Sequence, residues 1–112
     1  MSEVTSVVIT CYFTEKDAPA AINAALKEAG HQGGLTEVAA AAHGEKLMEM
    51  GVWVGAFNHL FLDGLIDAVE KAPWLLPSGM GLTLQFEEGD QEHFRFIGPR
   101  LVLKYRLFVY RG

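Results

Sequence analysis

Two periodicities alternate along this chain, and their order limits the possible folds more tightly than any single residue. Val7-Val8-Ile9-Thr10-Cys11-Tyr12-Phe13 is rich in β-branched and aromatic residues and lacks turn formers, the chemistry of a buried strand. Asp17 can cap a helix, Pro19 falls in its first turn, and Ile22, Ala25, Leu26 and Ala29 recur at helical spacing before Gly30. This predicts a helix from about Ala18 to Ala29. A second apolar helical stripe, Leu62, Leu65, Ile66 and Val69, follows Asn58 as a candidate cap and ends at Pro73.

Between the helices, Leu35 to Met50 mixes helix-favouring alanines with an interrupting Gly44. A hairpin is the reading adopted, with one strand over about Leu35 to Ala42, a turn at His43-Gly44-Glu45-Lys46, and a second strand over Leu47 to Phe57. After the second helix, Leu82, Leu84 and Phe86 alternate with polar residues, and Glu88-Gly89-Asp90-Gln91 can reverse the chain into a short strand from His93 to Ile97. Leu101 to Tyr110 has the residue types of one more strand.

Strand, helix, strand, strand, helix, strand is the order of the split β-α-β-β-α-β, or ferredoxin-like, sheet. The expected fold class is therefore α+β, with two helices on one face of an antiparallel sheet and an added C-terminal hairpin or strand. A chain of 112 residues, half of them hydrophobic, suits a single α+β domain spanning 1–112. That fold hosts many unrelated functions, so function has to come from particular residues.

Charge divides the chain. All 14 acidic residues precede position 95, whereas Arg95, Arg100, Lys104, Arg106 and Arg111 place five of the nine basic ones in the 95–112 extension. Such a tail has its nearest countercharge on its own body or on a symmetry mate. One row of the tail, Leu101, Leu103, Tyr105, Leu107 and Val109, is apolar, as a strand burying one face requires. The net charge of −5 opposes general nucleic-acid binding.

Several function classes are disfavoured. Met1 to Thr10 lacks a basic leader and apolar core, so a cytoplasmic location is expected. Gly51 to Leu62, the densest apolar stretch, is broken by Asn58 and His59 and falls short of the ~20 residues of a membrane span. His31, His43, His59 and His93 show no paired zinc spacing and Cys11 has no partner cysteine, so neither a metal nor a cofactor is expected. Cys11 reads as a core thiol.

The strand Leu47 to Phe57 has two faces of unequal character. Met48, Met50, Val52, Val54 and Ala56 suit a helix-covered core. Gly51, Trp53, Gly55 and Phe57 alternate glycine with large rings, and the expectation is that Trp53 and Phe57, joined by Tyr12, form an apolar patch on the other side of the sheet. Roughly 300 Å² of such surface left wet would cost about 7 kcal/mol, so a cover is expected. The tail or a second copy of the chain is the favoured cover, and a different protein is the next. Base stacking on an RNA-recognition sheet is disfavoured because Met50 to Phe57 lacks the opening basic residue and aromatic spacing of that pattern.

The expected function is thus non-catalytic: a protein–protein interaction or regulatory module, of inhibitor or immunity type, that forms a homodimer. Tyr12, Trp53 and Phe57 would be the apolar centre of its interface, and Arg100, Lys104 and Arg106 the basic edge. The alternatives are a small cofactor-free dimeric enzyme using His59 and Asp63, four residues apart and able to meet on one helical turn, and, behind it, a nucleic-acid or ligand-binding sheet.

Overall fold

A computed structural model describes residues 3–38, 44–46 and 48–109. Within them the chain forms an α+β fold of two helices and one six-stranded antiparallel sheet. Strand β1 (Val4–Cys11) buries Thr5, Val7, Ile9 and Cys11 and leaves the alternate residues more open. Helix α1 (Asp17–Glu28) begins with an acid in its first turn and buries Ala18, Pro19, Ile22 and Leu26. Gly30 ends it at φ 97°, a left-handed conformation glycine adopts without a Cβ penalty. The amides of Gly30 and His31 donate to the carbonyls of Lys27 and Leu26, both at 3.0 Å, closing the last turn as a Schellman motif.

Strand β2 is Thr36–Glu37, within the expected Leu35 to Ala42, of which residues 39–42 lie outside the described residues. Leu35 itself stays out of the sheet: its amide donates to Asn23 Oδ1 at 2.7 Å and its carbonyl accepts from Asn23 Nδ2 at 3.0 Å, so α1 holds this residue. Strand β3 (Gly51–Asn58) starts at Gly51, not Leu47. The expected turn residue His43, and Leu47 itself, lie outside the described residues.

Helix α2 (Leu62–Lys71) starts four residues after Asn58, with Phe61 at its cap, and buries Leu65 and Val69. Pro73 follows its end. The next segment is pinned twice: Trp74 Nε1 donates to the Val69 carbonyl at 2.7 Å, and the buried Glu15 carboxylate accepts from the amides of Leu75 and Leu76 at 2.9 and 2.8 Å. After a 3-10 turn at Pro77–Gly79 come β4 (Gly81–Phe86), β5 (Gln91–Ile97) and β6 (Arg100–Leu107), an antiparallel meander.

The sheet order is β2-β3-β1-β4-β5-β6, which differs from that of a simple ferredoxin fold. Both helices pack on the face carrying Val7, Ile9, Leu82 and Leu84, all fully buried. Register decides what else lies there. Thr5 opposes Phe57, Val7 opposes Gly55, Ile9 opposes Trp53 and Cys11 opposes Gly51, so the glycine–aromatic row of β3 is under the helices. This reverses the expected placement of Trp53 and Phe57. A Cβ at Gly55 would lie 3.0 Å from the Gly34 carbonyl and from the Phe57 ring, and one at Gly51 would lie 2.9 Å from Cys11 Sγ. The glycines make room for core neighbours, and the rings fill the space between them.

The tail departs from its expected alternation for a different reason. Between β5 and β6 the pairing runs His93 to Tyr105 and then Phe94 to Leu103, leaving Lys104 unopposed in a β-bulge. One extra residue shifts the phase of everything after it. Leu101 and Leu103 stay on the helix side, whereas Tyr105 and Leu107 emerge on the opposite face. Arg106 moves to the helix side, where it meets Glu92 at 2.6 Å.

Candidate interaction face

Both helices pack on one face of the sheet, and among the described residues no helix or further strand packs on the other face. Its apolar residues include Val8 on β1, Val52 and Val54 on β3, Ile97 on β5, and Val102, Tyr105 and Leu107 on β6. Ile97, Tyr105 and Leu107 each keep more than half of their surface open. Among the strand residues of this face none is acidic, although the chain carries 14 acids against nine basic residues. Depletion of charge within an apolar patch is the compositional mark of an interface core.

At its centre is a small polar cluster. His93 Nδ1 lies 3.0 Å from Thr83 Oγ1, and the imidazole stacks on Tyr105 with centroids 4.9 Å apart and planes at 21°. Gly81 admits the ring: a Cβ there would lie 3.3 Å from His93 Cε1 and 3.1 Å from Thr10 Oγ1. Burial pushes the His93 pKa below its ordinary value, and neighbouring Arg95 pushes it the same way. Beside the cluster, Gln91 donates to Gln85 at 2.8 Å and Arg95 donates to the Ser78 carbonyl at 3.0 Å.

The other residues singled out in the sequence fall elsewhere. Phe57 is buried and packs edge-on to His31 at 5.4 Å, and half-buried Trp53 lies under Lys16, whose Nζ is 5.8 Å from the ring centroid. Neither reaches the open face. Tyr12 lies just past the end of β1, half-exposed against Phe13 with ring centroids 4.8 Å apart. The structure does not bring Tyr12, Trp53 and Phe57 into one patch.

The basic tail is drawn toward its own body. Arg100 Nε and the Leu101 amide both donate to Glu70 Oε2, at 3.2 and 2.8 Å, and Arg106 pairs with Glu92. These hydrogen bonds hold the Glu70 carboxyl below its ordinary range, the Leu101 amide contributing most. Lys104 occupies the bulge of the outermost strand. A lysine and a bulge on an edge are the common protections against unwanted strand pairing, so β6 is guarded along its edge while its face is open.

His59 and Asp63 do not share a helical turn. His59 precedes α2, has φ 51° and donates its amide to the Glu3 carbonyl at 2.8 Å; both side chains are exposed. No hydrogen bond or ion pair joins them among the described residues. Cys11 is buried, with Sγ 3.9 Å from the Gly51 carbonyl, and burial first, then the charges of Glu15 and Glu37, push its thiol to about 11. At that value the protonated thiol, not the nucleophilic thiolate, predominates at neutral pH. Among the described residues no three His, Cys, Asp or Glu side chains are grouped to hold a metal, and no helix is long and apolar enough to cross a membrane.

Sequence reasoning passed over His93, Thr83 and Tyr105. One signal was present: Gln91, His93 and Arg95, a polar row without an acid, alternate with Glu92, Phe94 and Phe96. Comparison with protein-family models, with curated proteins and with solved structures gives no match.

Proposed function

We propose that this protein is a non-catalytic protein–protein interaction module, of regulatory or inhibitory type, and that it works as a homodimer joined through the open sheet face. We read the inner order β2-β3-β1-β4 as the ferredoxin-like split arrangement, extended by β5 and β6. The observation that carries the proposal is the acid-free apolar face on a chain of net charge −5.

Two arguments favour a second copy as the cover. Six strands at about 4.8 Å spacing and ~3.3 Å per residue project on the order of 600 Å². Corrugated by side chains, that approaches the ~800 Å² per partner of a standard interface. The face is also self-compatible in that an isologous contact brings no row of carboxylates together. A strongly basic partner would find no carboxylate there to pair with. The cytoplasm is the compartment proposed.

Sedimentation equilibrium tests this with the wild type and Val54→Glu, which places a carboxylate on the open face of β3. The wild type is expected to be a dimer, and the variant a folded monomer by circular dichroism, since an unpaired buried charge costs several kcal/mol. A wild type that stays monomeric at high concentration overturns the reading.

A further inference from the structure

We infer, resting on the reading that a second copy covers the open face, that His93 makes this self-association pH-dependent, so that mild acid releases the dimer into folded monomers. The imidazole lies on the face that would be covered, framed by four strands. Gly81 of β4 leaves room for it beside Thr10 of β1, Thr83 holds Nδ1 at 3.0 Å, and Tyr105 of β6 stacks against it. The charged groups that the register puts on its side are Arg95 on its own strand and Arg100 at the start of β6, the latter paired with Glu70 of α2. Glu92, the nearest acid in sequence, faces the helices and is paired with Arg106. A proton arriving at His93 therefore meets the like charge of Arg95 and no strand carboxylate on this face.

Both protonation states satisfy the Thr83 contact. The hydroxyl can donate to Nδ1 of the neutral ring, and the Nδ1–H of the charged ring can donate to the hydroxyl. The switch thus leaves the fold intact and acts through desolvation: closing the interface removes water from the ring, which disfavours the imidazolium. A symmetric dimer carries two such rings, doubling the effect per assembly event. Burial already depresses the pKa in the single chain, and a covering copy depresses it further. Protons bind the separated chains more readily than the dimer, so association weakens as pH falls.

Sedimentation equilibrium of the full chain at about pH 7.5 and about pH 5.5, bracketing histidine titration, tests this with wild type, His93→Gln and His93→Phe. The wild-type Kd is expected to rise at least tenfold at the lower pH, the value for one unit of pKa difference. His93→Gln, which retains a partner for Thr83, and His93→Phe, which retains the stack on Tyr105, are expected to dimerise with little pH dependence; either one folding is enough for the comparison. A wild-type Kd equal at both values, or a pH effect that survives in the variants, overturns the switch while leaving the dimer intact. Dissociation accompanied by loss of far-ultraviolet circular dichroism overturns it as well. A monomer at both values removes the dimer reading and the switch together.

Discussion

Glu15 is a carboxylate with almost no exposed surface, and its two oxygens are taken by two consecutive backbone amides, those of Leu75 and Leu76. It joins the β1–α1 connection to the segment after α2, some sixty positions away. Glu15→Ala would orphan both amides and leave a void, a cost of ~2–4 kcal/mol in urea unfolding, whereas Glu15→Gln keeps one acceptor and is expected to cost less. The glycines of β3 make a comparable case through sterics. Gly55→Ala would force a Cβ to within 3.0 Å of a backbone carbonyl and an aromatic ring, while Gly33 has nothing within 4 Å of that position. Gly55→Ala is expected to destabilise by ~1–3 kcal/mol and Gly33→Ala to shift the urea midpoint little.

Among elements, those with a strong local period are legible in the sequence. β1, α1, α2 and the β4–β5–β6 run lie close to where β-branched runs, apolar helical stripes and Gly or Pro punctuation put them. The covered face of β3 is not legible, because both of its rows are apolar, and only pairing with β1, more than forty positions earlier, decides between them. The His93 cluster is hidden for the same reason, since Gly81, Thr83 and Tyr105 meet it from two other strands. Alternation in the tail fails at one residue, Lys104, whose bulge no period of two can reveal. That residue also supports a prediction about β6. Lys104→Val removes the edge charge from a strand whose Leu107 and neighbouring Phe108 are exposed, and is expected to leave thermal stability nearly unchanged while raising light scattering on storage.

Across the whole molecule, the charge asymmetry of the sequence becomes a clamp with a definite response to pH. The basic tail closes on the acidic body at Arg100–Glu70 and Arg106–Glu92, bringing β6 against α2 and β5. Glu70 is held below its ordinary 4.5, so the unfolded chain takes up that proton first as pH falls. Its contribution is complete above the ordinary carboxyl range and is lost as pH falls through the lowered folded value. His93 acts higher on the scale. Its folded pKa lies below 6.5, so the unfolded chain again protonates first, and stability declines from about that pH downward until the folded ring also takes its proton. Urea midpoints, measured dilute enough that association does not contribute, are therefore expected to fall in two stages, one beginning near pH 6.5 and one below 4.5. His93→Gln is expected to abolish the first stage alone. Glu70→Gln, which keeps an acceptor for the Leu101 amide but removes the charge, is expected to reduce the second alone and to speed hydrogen exchange along β6. A single acid transition unaffected by either variant would show that neither group is linked to folding as its surroundings imply.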